Sequence, residues 1–266
     1  MQEGCLSQPD GWRDEQLRPW PSPEPAASAA VESCKRNLAG EGWTVIDLAS
    51  AQEAACPEAG RRASALLGAL ARPIGVFAAR PMWRALMSHS SRPPASSGGV
   101  GEQAVHLDFV NTTHPPDFVA LYCLRADPRG GGASVVATVD AVHSLDADDL
   151  EVLRQPVFRD GSVYDLRHVG EDINPFAVWA PGSTHPLRWT GKLLQGTNDT
   201  RAHKALARLA RALDNASVEV ALRPGQMLVV SQRRAVHGRR ALAPGQETLG
   251  VHERRLLMHA FGRLRE

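Results

Sequence analysis

Ala104-Val105-His106-Leu107-Asp108-Phe109-Val110-Asn111-Thr112-Thr113-His114-Pro115-Pro116 is the stretch that decides the fold. In an extended strand, residues i and i+2 point to the same side. His106 and Asp108 would then present an imidazole and a carboxylate to one cavity. A third donor waits far downstream in Val229-Val230-Ser231-Gln232-Arg233-Arg234-Ala235-Val236-His237-Gly238-Arg239, with His237 129 residues past Asp108. For the two to meet, an early and a late strand must lie side by side. A double-stranded β-helix, or jelly roll, does this around one mouth. The fold class expected is therefore mainly β with flanking helices (α+β) on a jelly-roll core.

Two imidazoles and one carboxylate on one face of an octahedron leave the other positions open, as in mononuclear non-haem iron(II) sites. His-x-Asp alone is a weak signal. With 10 His and 29 acidic residues in 266 positions, about one such pair arises by chance. The plainer alternative is a half-exposed strand carrying two polar residues. For His237 it is a surface histidine among arginines. That alternative loses weight because the apolar strand Met227–Val230 runs directly up to the Arg234–His237 segment, read as a loop at its end.

Working outward, residues 25–39 predict a helix, with Pro25 suited to a first turn and Gly40 to a C-cap. Trp43–Leu48 reads as a strand and 51–71 as a helix stopped by Pro73 and Gly75. Residues 88–102 read as a loop, and Phe118–Leu124 as a buried strand by its apolar run. A short helix is expected at 146–154. Residues 155–198 hold no regular pattern but several aromatics, and a loop this long is usually functional. An amphipathic helix follows at 199–214, with Ala205, Leu206, Leu209 and Leu213 on one face. Strands are expected at 218–222, 227–230 and 256–261.

Composition narrows the function classes. The hydrophobic fraction is 43% and the net charge is +1, so no field for a polyanion is present and a nucleic-acid role is not expected. The four cysteines, Cys5, Cys34, Cys56 and Cys123, lack metal-knuckle spacing. They read as free thiols of a reducing, cytoplasmic compartment. No apolar signal region and no run of membrane-span length is seen. Residues 1–24 are polar and rich in Pro and Ser, expected as a flexible or loosely packed leader to one domain over 25–266.

Arg254 opens the final strand and is the first candidate anchor for an anionic cosubstrate, since a guanidinium can clamp a carboxylate bidentately. Arg255 would face the other side and is the fallback. Ser134, closing the Gly131-Gly132 turn, could donate a hydroxyl to the same carboxylate. Gln103, Asn111 and Arg239 are candidate substrate contacts. Asp165, Arg167 and Arg188 could meet charged groups of a substrate.

With those residues in place, the chain resembles the iron(II)/2-oxoglutarate oxygenases of the taurine dioxygenase and clavaminate synthase type. His106 to Pro116 resembles that family's H-x-D segment with its trailing Pro-Pro. Phe118–Asp127 is similar to the clavaminate synthase branch, and Gly131-Gly132-Ala133-Ser134 to its Gly-Gly-x-Thr. Pro224-Gly225-Gln226 through Arg239 matches the late motif, and Glu253-Arg254-Arg255-Leu256-Leu257 the Asp-Arg-x-Leu segment. Gln226 and Gln232 depart from that pattern, replacing acidic and amide residues.

The resemblance implies Fe(II), 2-oxoglutarate and O2. It implies metal ligation by His106, Asp108 and His237, and a 2-oxoglutarate anchor at Arg254 (or Arg255) with Ser134. It places a lid and pocket at 88–103 and 155–198. It also implies hydroxylation, or desaturation or cyclisation, of an amino-acid-like small molecule, free or carrier-bound, in bacterial specialised metabolism such as antibiotic biosynthesis. A carboxylate at 108, rather than a small residue making room for chloride, favours oxygenation over halogenation. The competing readings are a cupin-type metalloenzyme without 2-oxoglutarate, and a non-catalytic jelly-roll binding protein. The sequence does not specify the oligomeric state.

Overall fold

The computed structural model describes residues 25–76, 82–162 and 169–264. The leader 1–24, with Cys5, and the candidates Asp165 and Arg167 lie outside them. Helices α1 (Pro25–Gly40) and α2 (Pro57–Leu70) flank strand β1 (Trp43–Asp47). Strands β2 (Arg72–Ile74), β3 (Arg84–Met87), β4 (Gln103–His106), β5 (Phe118–Arg125) and β6 (Ser134–Thr138) follow. After α3 (Ala147–Leu153), α4 (Leu193–Gly196) and α5 (Thr200–Asn215) come β7 (Val218–Val220), β8 (Gln226–Ser231), β9 (Ala235–Arg239) and β10 (Leu256–Arg263).

The strands form two antiparallel sheets. The larger runs β1-β8-β5-β10-β2, with β3 also on β10, and the smaller runs β4-β9-β6-β7. The chain crosses from one sheet to the other in the short corner between β8 and β9. His106 lies opposite His237 across the β4–β9 pair, so the jelly-roll expectation holds in its decisive contact. His237 sits within β9 rather than in a loop at a strand end. The three-residue corner leaves room for a new strand to start at Ala235.

Three apolar layers hold this together. Between the sheets, Val119, Leu121 and Cys123 meet Val136, Leu228, Val230, Leu257 and Phe261. The other face of the large sheet, with Ala120, Tyr122, Met227 and Met258, packs on Leu38 of α1 and Leu67 of α2. Both faces of β5 are thus covered, which is why its sequence is an unbroken apolar run rather than an alternation. The outer face of the small sheet packs on α5, where Ala205, Leu206, Leu209 and Leu213 are all fully buried. Each such leucine contributes roughly 2 kcal/mol of burial. Asp199 caps α5 by accepting from the Ala202 N–H at 2.7 Å.

The same outer layer changes the reading of 155–198. Phe158, Phe176, Trp179, Leu187 and Trp189 are buried in one cluster with α5. Much of the segment expected as a lid is core. Its irregular backbone is tolerated inside because isolated bridges, such as Phe158 with Phe176 and Trp179 with Leu187, pair its amides and carbonyls. Two boundaries also move. The helix expected from 51 begins at Pro57, a residue suited to the first helical turn. β4 ends at His106, so Asp108 lies in a turn and not on the strand.

Among the described residues no helix is long and apolar enough to cross a membrane. Cys34, Cys56 and Cys123 are free thiols.

Candidate metal centre and its cavity

His106, Asp108 and His237 come together although Asp108 has left the strand: their ligand atoms lie within 4.8 Å of one another. His237 Nε2 is 3.4 Å from Asp108 Oδ2, and His106 Nε2 is 3.9 Å from Asp108 Oδ1. The two imidazole centroids are 4.6 Å apart. β4 and β9 approach closely here because Gly238 separates His237 from Arg239. A Cβ at that position would sit 2.7 Å from the Gln103 carbonyl.

His106 Nδ1 lies 3.0 Å from the Ala104 carbonyl. That oxygen can only accept, so Nδ1 carries the proton and Nε2 offers a lone pair, a common arrangement for a metal-binding histidine. Burial holds His237 neutral, with its pKa lowered to about 4, and nearby His106 adds to this against the pull of Asp108. For Asp108, burial works against ionisation. His237, His106, His259 and Arg84 outweigh it and hold the carboxyl below its usual range. A neutral His237 imidazole beside an ionised carboxylate is the protonation state a divalent cation requires of these two groups.

Among the described residues, the Asp108 Oδ2 atom is buried without a hydrogen-bond partner, as is His237 Nδ1. An unsatisfied buried carboxylate oxygen is costly unless an ion meets it. The donor set and this orphaned oxygen fit iron(II) or a similar cation.

Two further groups face this end. Gln103 places its amide nitrogen 3.4 Å from His106 Nε2, putting a polar side chain at the open side of the cluster. His259 was missed in the sequence because its motif carries no metal spacing. It stands on β10 between inward-facing Leu257 and Phe261, with Nδ1 buried and unpartnered. Burial lowers its pKa to about 3, against the opposing effect of Asp108.

Two residues along from Leu257 in the other direction, Arg255 shares that inward face. It is 6% exposed, and among the described residues its guanidinium makes no hydrogen bond or ion pair. Burial lowers its pKa to about 10, and neighbouring Arg239 adds to this. Its stem lies against Gly132 (φ 71°), where a Cβ would come within 3.1 Å of Arg255 Cδ. With Cys123, Leu222 and Leu257 it lines a cavity of about 100 Å³. Ser134 is buried and lies opposite Arg239 in the β6–β9 pair.

Arg254, the first choice from sequence, is half-buried and directs its Nε to the Leu249 carbonyl at 3.0 Å. Within β10, Leu256, Met258 and Ala260 face the helices and Leu257 and Phe261 the space between the sheets; just before the strand, Arg255 is the more buried of the two arginines.

The remaining candidates divide. Asn111 is buried, donates to the Ser162 carbonyl at 3.2 Å and leaves its Oδ1 unpartnered. Arg239 is buried and donates to the Gly101 carbonyl at 2.6 Å, tying the 88–102 loop to β9. Arg188 donates to the carbonyls of Val110 and Thr112 at 2.7 and 2.8 Å. It braces the turn after Asp108, because buried carbonyls there need donors.

Comparison with known proteins follows the same lines. Residues 21–259 match the family described as taurine catabolism dioxygenase TauD, TfdA family. The L-asparagine oxygenase of Streptomyces coelicolor is 33% identical over 132 residues, covering 49% of this chain and 40% of that protein. The L-lysine 3-hydroxylase of Catenulispora acidiphila is 28% identical over 170 residues, covering 60% of this chain and 45% of that protein. These matches span less than half the length of either relative.

Among solved structures, asparagine oxygenase with Fe(II), 2S,3S-3-hydroxyasparagine and succinate aligns with a TM-score of 0.72 at 22% identity, covering 94% of this chain and 82% of that one. The non-haem iron oxygenase OrfP with Fe and alpha-ketoglutaric acid aligns at 0.67 and 20% identity, covering 91% and 80%. At such identities the likeness establishes the shared fold.

Proposed function

The chain belongs to the taurine catabolism dioxygenase TauD, TfdA family, and on that premise we propose that it is an iron(II)- and 2-oxoglutarate-dependent oxygenase that hydroxylates a free L-amino acid. The observation that carries the reading is a pair of complementary groups on the inner side of the sheets. At one end the ligand atoms of His106, Asp108 and His237 converge within 4.8 Å, and at the other stands the buried guanidinium of Arg255, unpaired among the described residues.

Iron(II), held by His106, Asp108 and His237, would supply with 2-oxoglutarate and dioxygen the oxidising power to replace a substrate C–H by C–OH. The protein's own residues do the rest. The Ala104 carbonyl keeps the His106 ring in one tautomer. Arg255 receives the distal carboxylate of 2-oxoglutarate, with the Ser134 hydroxyl beside it. A charge-assisted bond to a buried guanidinium is strong because water is excluded there. Leu257 and Val136 supply dry walls between the two ends. Gln103 and Asn111, each with a polar group near the His106–Asp108 segment, orient the polar backbone of the amino acid.

The substrate class rests on the relatives, whose names give L-asparagine and L-lysine, and on OrfP complexes that hold hydroxylated L-Arg. Free thiols at Cys34, Cys56 and Cys123 fit a reducing, cytoplasmic site of action.

The test is anaerobic optical titration of purified protein with Fe(II) and then 2-oxoglutarate, followed by a screen of L-amino acids for succinate release. A visible charge-transfer band on adding 2-oxoglutarate, lost in His106→Ala and weakened in Arg255→Ala, supports the reading. Iron binding without the band would remove 2-oxoglutarate from the assignment. A band without amino-acid-dependent succinate release would overturn the substrate class alone.

A further inference from the structure

Asp108 poses a positioning problem that the strand does not solve. β4 stops at His106, and Asp108 begins a turn whose next residue, Phe109, has φ 58°. A non-glycine residue in the left-handed region is held there by its surroundings. The direction of the Asp108 carboxylate therefore depends on what grips this turn.

Gln232 grips it. Its Oε1 accepts from the Asp108 N–H at 2.6 Å. Its Nε2 donates to the Pro116 carbonyl at 2.9 Å, and its backbone N–H donates to the Asp117 carbonyl at 2.8 Å. It is 1% exposed and sits in the corner between β8 and β9, five residues before His237. One carboxamide thus joins the turn that carries the carboxylate, the chain entering β5 and the strand that carries the second imidazole. Arg188 braces the far side of the same turn through Val110 and Thr112.

We infer that Gln232 is a positioning residue for the metal centre: through the Asp108 backbone it holds the carboxylate at the distance the two imidazoles require. The inference rests on the reading of His106, Asp108 and His237 as ligands. The length of Gln is part of it, since one amide group must reach two loops at once. Asn at this position, one methylene shorter, cannot span both.

The experiment measures Mn(II) affinity of the metal-free protein, read from the EPR signal of free Mn(II), with no cosubstrate and no turnover. Gln232→Met keeps length and burial but removes both side-chain hydrogen bonds. Its Mn(II) dissociation constant should rise about 10–100-fold, the usual range for groups that orient a ligand. Gln232→Asn should show a smaller rise, and is read in the same way should the Met variant fail to fold.

Leu209→Ala, a cavity in α5 on the outer layer, is the control for lost stability. It should leave the Mn(II) constant unchanged while lowering the melting temperature. Wild-type affinity in Gln232→Met, or an equal loss in Leu209→Ala, would overturn the inference. Wild-type affinity in Asp108→Ala would overturn the ligand reading itself, a separate outcome.

Discussion

Asp108 and Asp117 stand nine residues apart, the first half-buried and the second buried, and both lie near histidine and arginine. Their surroundings differ in one respect. Asp117 is 2% exposed, and both its oxygens are used: Oδ1 accepts from Arg233 Nε at 2.6 Å and Oδ2 from the Leu264 N–H at 2.8 Å. His185 Nε2 lies 3.4 Å away. Asp108 accepts no side-chain hydrogen bond among the described residues, and its Oδ2 is orphaned. A buried acid that brings its own partners is a structural joint, whereas a half-buried one with an unpartnered oxygen is a candidate to hold a group from solution. Composition does not separate the two, but the accounting of partners does.

The largest expected effects break that comparison directly. Asp108→Ala should abolish tight Mn(II) or Fe(II) binding, raising the dissociation constant by about 1,000-fold or more, while the metal-free protein melts near the wild-type temperature. Asp117→Ala should do the reverse. It strands the Arg233 guanidinium and the Leu264 N–H, costing about 2–3 kcal/mol of stability, less than a fully buried pair because Arg233 is 34% exposed. Metal titration and thermal melts on both variants check this. If both variants lost metal and stability alike, partner accounting would not distinguish a joint from a site.

Arg254 and Arg255 repeat the contrast with the sign of charge reversed. Arg254 has a carbonyl partner, and among the described residues Arg255 has none. Arg255→Ala should weaken 2-oxoglutarate binding by about 100-fold, the cost of removing one member of a buried charge pair. Arg254→Ala should change it by about 3-fold or less. Titration of the charge-transfer band measures both. A larger effect at Arg254 would restore the first choice made from sequence.

The parts legible in the sequence are those set by local periodicity. The apolar run of β5 and the leucine face of α5 follow from strand and helix repeats, whereas the cluster of His106, Asp108 and His237 was legible as a motif although Asp108 does not keep the strand repeat. The rest depends on contacts between distant segments. Arg255 is buried by contacts with residues far away in the chain, its stem against Gly132 and its cavity shared with Cys123 and Leu222. Asp108 leaves the strand because Gln232, 124 residues on, takes its N–H. The segment 155–198 reads as a lid and pocket, but its aromatic residues are buried in one cluster with α5 on the outer face of the small sheet. Gln232 was visible only as a departure from a motif, with nothing local to give it a role.

The smallest expected effect sharpens the comparison from the Asp117 side. His185 is buried against Asp117, with Arg233 and Arg188 close by, and its ring also bonds the Pro116 backbone. Burial lowers its pKa to about 4; the two arginines add to that and Asp117 opposes it. The folded protein therefore keeps His185 neutral where the unfolded chain, titrating near 6.5, already binds a proton. Since the unfolded state holds more protons between these values, stability rises with pH across the window. This contribution is complete above about pH 6.5 and is lost as pH falls toward 4. His237 and His259 shift the same way, so the wild-type slope is a sum. The difference between wild type and His185→Gln isolates one member, and should amount to about 1 kcal/mol between pH 6.5 and 5.5. Denaturant melts of the metal-free protein at half-unit pH steps measure it. Parallel curves would mean that folding leaves the His185 ring unshifted, and a difference of the opposite sign would mean that Asp117 holds it protonated, making the joint a true ion pair rather than a carboxylate beside a neutral ring.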